Sequence, residues 1–123
     1  MVRGRKLTGG KYRPRRKTKH YEREGITRKV KIRETKKKLK RGRGGNVKTI
    51  LLSEKIVNVM DPTTKKAKKV EIKNVLETPS NRFLARQNIL VKSGIIETEL
   101  GKAKITNRPS QEGSVQAVLL KDN

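Results

Sequence analysis

The chain has 123 residues, with 34 Lys and Arg against 11 Asp and Glu, and a formal net charge of +23. It contains no cysteine and one histidine, which excludes a disulfide framework, a thiolate zinc site and a multi-histidine metal cluster. No apolar run approaches the roughly 18 residues of a membrane span, and no signal-peptide pattern opens the chain. We therefore expect a cytoplasmic protein with one domain and a basic arm.

The positive charge is concentrated at the start of the chain. Residues 1–49 hold 21 Lys and Arg and three Glu, a net charge of +18, whereas the other 74 residues hold 13 Lys and Arg and eight acidic residues. Such a density cannot be buried and calls for a polyanion, and counterion release favours nucleic acid. An anionic membrane is a poor alternative, because between Gly4 and Gly25 the sole aliphatic side chain is Leu7.

Residues 1–46 are predicted to form a basic RNA-binding extension that ends in a glycine hinge. Glycines and Pro14 break both helix and strand in residues 1–25, which indicates an arm that is disordered until a partner orders it. Residues 28–33 favour a short strand with Val30 and Ile32 facing inward, or else more charged coil. The hinge, residues 42–46, is either a plain linker or a tight turn pressed against a phosphate backbone.

Residues 47–123 are predicted to form a β-barrel domain. Two alternating apolar runs, 56–60 and 70–76, flank an Asp-Pro turn and indicate a hairpin. Ser80 or Asn81 then starts a short helix, and strands follow at 89–91, 94–100, 102–106 and 115–120. Short strands closed by Gly and Pro turns indicate an all-β fold, a small antiparallel barrel or sandwich.

The sequence offers little for catalysis. Glu97 and Glu99 alternate on a predicted strand and more simply form a solvated face beside nearby lysines. His20 lies in the basic arm, and the glycine-rich stretch lacks the Lys-Ser or Lys-Thr ending of a nucleotide-binding loop. We therefore expect no enzymatic activity, cofactor or small-molecule substrate.

RNA is the favoured partner because residues 11–21 interleave cations with rings. Cations contact phosphates, while Tyr12, His20 and Tyr21 offer planar groups on which splayed bases stack, at roughly 1–3 kcal/mol per base. The alternative is a DNA-compacting chromatin protein, which would bind duplex through minor-groove wedges or a repeated basic face. A single irregular basic arm fits the spaces between RNA helices better, and we expect the arm to thread between such helices while the barrel surface docks against them.

Three stretches carry a family resemblance: Thr8 to Lys17, Arg41 to Lys48, and Ile95 through Pro109 to Gly113. In this order they resemble the S8e family of small-subunit ribosomal proteins, and the compact chain is most similar to archaeal members. The resemblance implies a barrel body, a basic extension in small-subunit ribosomal RNA, neighbouring ribosomal proteins in the cytoplasmic ribosome, and no enzymatic activity. An extraribosomal processing or chaperone role stays open.

The candidate RNA-binding residues combine the arm with the cations around the glycine hinge. They are Arg3, Arg5, Lys6, Lys11, Tyr12, Arg13, Arg15, Arg16, Lys17, Lys19, His20, Tyr21, Arg41, Arg43, Lys48 and Arg108. Arg108, before a proline, either contacts RNA or braces its turn. Ser110 stands where the resemblance leads us to expect glycine, which puts the geometry of that turn in question if it needs a positive φ.

Overall fold

The structure of the protein is a computed structural model that describes residues 4–12, 16–25 and 27–120. Within those ranges the chain is mostly strand, with a few short helical segments. No helix among the described residues has the length and apolarity needed to cross a membrane.

The elements follow in chain order. The strands are β1 (Val30–Lys31), β2 (Lys36–Arg41), β3 (Val47–Ser53), β4 (Ile56–Met60), β5 (Ala67–Glu77), β6 (Ile89–Leu90), β7 (Ile95–Thr98), β8 (Gly101–Ile105) and β9 (Gln116–Leu119). The helices are α1 (Arg82–Arg86) and α2 (Pro109–Glu112), and two 3-10 turns span His20–Glu22 and Arg43–Gly45.

Five strands close a barrel in the order β4-β5-β7-β8-β9, which confirms the predicted all-β barrel. Most neighbours are antiparallel, but β4 and β9 pair in parallel, from Asn58 opposite Gln116 to Met60 opposite Val118. This parallel pair closes the barrel and leaves its strands without a free edge. The predicted hairpin is confirmed as β4–β5, with Ile56 opposite Glu71.

A second sheet in the order β2-β3-β1-β6 lies beside the barrel. The predicted strand at 28–33 is confirmed at Val30 and Lys31, which pair antiparallel with β6 and parallel with β3. Val30 is buried in the same apolar cluster as Leu51 of β3 and Leu90 of β6, and Ile32 packs against that cluster. The C-terminal part of the predicted extension therefore contributes to the core.

The glycine-rich segment forms the turn of a hairpin between β2 and β3. Arg41 pairs with Val47, and the Gly42 amide donates to the Asn46 carbonyl at 2.6 Å. Gly44 and Gly45 adopt φ values of 70° and 78°, which side chains other than glycine rarely take. The predicted boundary at residue 46 thus falls in this turn, and the division into an extension and a barrel domain stays a prediction.

Two short helices connect the strands. Asn81 caps α1, as expected, by accepting from the Phe83 amide at 2.9 Å. The sequence predicted only a turn where α2 forms. The positive φ there, 75°, lies at Gly113, so Ser110 occupies a helical position and needs no glycine. A Cβ on Gly113 would lie 2.9 Å from Cγ2 of Thr49, which shows how closely α2 approaches β3.

Replacing Val30 by Ala tests whether the end of the extension belongs to the folded core. Val30 is 1% exposed, whereas Val47, at the outer end of β3, is 60% exposed. We expect Val30→Ala to lower the free energy of unfolding by about 2 kcal/mol, because it removes buried methyl groups and leaves a cavity. Val47→Ala is the matched control and should change it by less than about 0.5 kcal/mol. Equal midpoints in urea denaturation would contradict the placement of β1.

Replacing Gly113 by Ala tests the close approach of α2 to β3. Gly45→Ala is the control, because Gly45 has a similar positive φ with no atom within 4 Å of its added Cβ. Both variants incur left-handed strain, but Gly113→Ala also forces Thr49 and α2 apart. We expect it to cost about 1–3 kcal/mol more than Gly45→Ala in urea denaturation. Equal losses would show that Gly113 serves only its backbone conformation.

Candidate nucleic-acid interface

Exposed cations dominate the N-terminal part of the chain. Every Lys and Arg that the structure describes between residues 4 and 48 is exposed to solvent. Repulsion between like charges and the cost of burying an ammonium or guanidinium group both favour this arrangement. The result is a surface suited to a polyanion.

The first described segment, residues 4–12, forms a small loop. Arg5 and Lys11 form an isolated antiparallel bridge, and the Lys6 amide donates to the Gly10 carbonyl at 2.9 Å. The Lys6 Nζ lies 5.8 Å from the centre of the Tyr12 ring, at the outer limit of a cation–π contact. Four predicted residues, Arg5, Lys6, Lys11 and Tyr12, are therefore brought together.

A second loop is organised by Glu22. Its carboxylate accepts from both terminal nitrogens of Arg16, at 2.8 Å and 2.5 Å, and from the Lys19 amide at 3.0 Å. The hydrogen bond from Arg16 and that from Lys19 lower the pKa of Glu22, and the same carboxylate raises the pKa of Arg16. Arg16, which the sequence predicts to contact RNA, thus already has an internal partner in Glu22.

The same loop exposes the rings of His20 and Tyr21 to solvent. Tyr21 is 73% exposed, and the Lys19 Nζ lies 5.7 Å from the centre of its ring. His20 begins the 3-10 turn and is exposed, as is Lys17 before it. Proteins that bind single-stranded RNA use an exposed ring for base stacking and a nearby cation for phosphate contact. Arg3, Arg13 and Arg15, also predicted, lie outside the described residues.

The β2–β3 hairpin, here called the basic hairpin (residues 36–53), carries seven further cations and no acidic residue. They are Lys36, Lys37, Lys38, Lys40, Arg41, Arg43 and Lys48. Only the last three are among the residues predicted to bind RNA. The strand β2 was not predicted because Leu39 is its sole apolar residue, although two runs of similar length around a Gly-Gly-Asn turn are themselves a hairpin signal.

The basic hairpin extends outward from the core. Ile50 and Leu51 of β3 are buried, whereas every residue of β2 and the outer end of β3 are exposed. β2 is an edge strand of its sheet, where lysines also discourage pairing with other strands. The cations near the turn therefore stand on a rigid base.

Arg108 lies apart from the arm and precedes α2. Its backbone amide donates to Glu112 Oε1 at 3.0 Å, and this bond is the main reason that the pKa of Glu112 is lowered. The main chain of Arg108 therefore braces the turn. Its guanidinium is on an exposed residue, and a role in RNA contact stays a prediction.

Phe83 was not among the residues predicted to bind RNA. It is 54% exposed on α1, and the guanidinium carbons of Arg82 and Arg86 lie 5.4 Å and 5.9 Å from the centre of its ring. The signal was an aromatic flanked by arginines at i−1 and i+3, which share a helix surface. Elsewhere in the described part of the chain a lysine has an acidic partner: Lys55 Nζ lies 2.7 Å from Glu71 Oε2.

The amino-acid sequence of the chain matches that of a known protein family. Residues 2–120 match the family described as "Ribosomal protein S8e". "Small ribosomal subunit protein eS8" of Ignicoccus hospitalis is 48% identical over 117 residues, 94% of this chain and 90% of that protein. The proteins of the same name from Sulfurisphaera tokodaii and Methanococcus aeolicus are 42% and 45% identical, each over 96% of this chain and 93% of their own length.

These matches confirm the resemblance drawn from the three sequence stretches. The family is one of ribosomal structural proteins and not of enzymes. The family match spans residues 2–120, so the described barrel, basic hairpin and N-terminal loops all lie within the matched region. The chain belongs to the ribosomal protein S8e family.

Proposed function

We propose that the protein is a structural constituent of the small ribosomal subunit that binds small-subunit ribosomal RNA. Binding uses two elements, the N-terminal arm and the basic hairpin, while the barrel supplies the folded body. The relatives that it matches are named as small-subunit proteins. The protein acts in the ribosome, and hence in the cytoplasm, beside other ribosomal proteins and without catalysis.

The observation that carries the proposal is the segregation of exposed charge. The described cations of residues 4–48 are all exposed, and Glu22, one of three acidic residues there, is already paired with Arg16. The barrel half has 13 Lys and Arg against eight acidic residues and is far more nearly balanced. Binding of a polyanion to residues 1–49 is favoured by the release of its counterions, whereas binding to the barrel half is favoured only weakly.

The mechanism is electrostatic and steric. The arm neutralises phosphates of RNA strands that would otherwise repel one another, and exposed Tyr12 and Tyr21 stack on unpaired bases. The basic hairpin adds charge from a fixed position, because its inner end is packed in the core. The cations of the arm and those of the basic hairpin together orient the barrel against the RNA.

A charge-removal series tests the proposal. The variant Lys11→Gln, Lys17→Gln, Lys19→Gln removes three exposed arm cations, and Lys66→Gln, Lys73→Gln, Lys104→Gln removes three exposed barrel cations as the matched control. Affinity for small-subunit ribosomal RNA is measured by filter binding between 50 and 400 mM KCl. We expect the arm variant to reduce the slope of log affinity against log salt by about 2–3, since each lost phosphate contact removes about 0.7–0.9.

The control should keep a slope close to that of the unmodified chain. Circular dichroism of both variants checks that the barrel is intact. An arm variant whose slope and affinity match those of the barrel variant would show that the arm is not the electrostatic footprint, and would overturn the proposal in this form.

A further inference from the structure

A small cavity lies where the basic hairpin meets α2 and the segment before β1. Its volume is about 150 Å³. It is lined by Arg28, Lys40, Lys48, Ile50, Ser110 and Gln111. Sites for drug-sized ligands are larger, about 300–1,000 Å³, so this cavity suits one small group rather than a whole nucleotide.

Three cations from three parts of the chain converge on this cavity. Arg28 precedes β1, Lys40 lies on β2 and Lys48 lies on β3. Among the residues that the structure describes, no Asp or Glu lines it. One Arg and two Lys among the lining residues, with no Asp or Glu among them, favour a small anion with several acceptor oxygens.

The two lysines face each other across the hairpin. Lys40 and Lys48 are register partners in the antiparallel pair of β2 and β3. Like charges directly opposite on adjacent strands are destabilising, because their Cβ atoms lie only about 4.5–5.5 Å apart. An anion bound between the two lysines would be attracted to both of them. Binding would therefore relieve the repulsion that is present in the free chain.

Neutral groups complete the site on the α2 side. Ser110 offers a hydroxyl and Gln111 an amide, and both can donate to a phosphate oxygen. α2 is held against β3 by the close approach of Gly113 to Thr49, next to Lys48. Ile50, which is buried, supplies an apolar wall. The serine that departs from the expected glycine thus gains a role here.

We propose that this pocket binds a single phosphate group of the ribosomal RNA backbone. Arg28 and Lys40 are new contacts, and Lys48 gains a specific one. The proposal rests on the proposed function for its source of phosphate, because free phosphate has the same chemistry. An RNA backbone is favoured because the pocket adjoins the exposed cations at the outer end of the basic hairpin, which continue the charged surface beyond one anion.

Phosphate-ethylation interference tests the pocket directly. Small-subunit ribosomal RNA is sparsely ethylated, bound to the full chain, and the bound and free pools are mapped. The unmodified chain should show a set of phosphates at which ethylation blocks binding. The variant Lys40→Gln, Lys48→Gln should lose sensitivity at one phosphate or two adjacent ones and keep the rest. The control Lys66→Gln, Lys73→Gln should keep the whole set.

The same set of interfering phosphates in the pocket variant and the unmodified chain would overturn the proposal. Unfolding is excluded as an explanation by urea denaturation without RNA, in which the pocket variant should be at least as stable, because it removes the facing like charges. Ser110→Ala, which changes no charge, should weaken RNA binding about tenfold through one lost hydrogen bond to a charged group. Undiminished affinity in Ser110→Ala would overturn the assignment of the Ser110 hydroxyl to the bound phosphate.

A titration with inorganic phosphate separates the pocket from RNA binding. At constant ionic strength, the backbone amide signals of Lys48, Ser110 and Gln111 should shift in the unmodified chain and not in the pocket variant. Absent shifts would overturn the pocket itself. If the unmodified chain bound no ribosomal RNA, the proposed function would fail. Shifts with phosphate in that case would assign the pocket to free phosphate and overturn the RNA source.

Discussion

Repulsion among cations is the constraint on which this structure depends. A net charge of +18 on the first 49 residues can be neither buried nor packed against itself. The described part of that region meets the constraint with exposed loops and one edge strand. Salt screens exposed charges that lie more than about 10 Å apart at 0.1 M, so it weakens the repulsion between cross-strand neighbours such as Lys40 and Lys48 much less.

The apolar residues answer the opposite requirement. The aliphatic side chains, which are few for a chain of this length, form the core of a closed barrel with a small sheet at its side. Closure of the barrel removes free strand edges, which could otherwise pair with other chains. Val30 and Leu51 carry the second sheet into the same apolar cluster as the barrel. The basic hairpin is therefore anchored in the core through Ile50 and Leu51 of β3, and it carries exposed cations along β2 and around its turn.

Much of the barrel was predictable, because its strands alternate apolar and polar residues between Gly, Pro and Asn turns. That pattern predicted β4, β5 and a helix that starts at Ser80 or Asn81, and the structure has the cap at Asn81. The strand β2 was not predicted, because its five Lys and Arg residues leave no apolar alternation and its pairing with β3 is set by the turn. The pocket could not be predicted either, because Arg28, Lys40 and Ser110 are distant in sequence and meet only through the fold. The individual RNA contacts of the arm remain predictions.

Sedimentation of native lysate from cells that produce the chain tests the central claim most directly. Lysate is run on sucrose gradients at increasing salt, untreated or after digestion with ribonuclease or deoxyribonuclease, and each fraction is probed for the chain. The account predicts migration with the small subunit in moderate salt, release by ribonuclease and high salt, and no effect of deoxyribonuclease. A chain that sediments free in moderate salt, or that deoxyribonuclease releases, would contradict it.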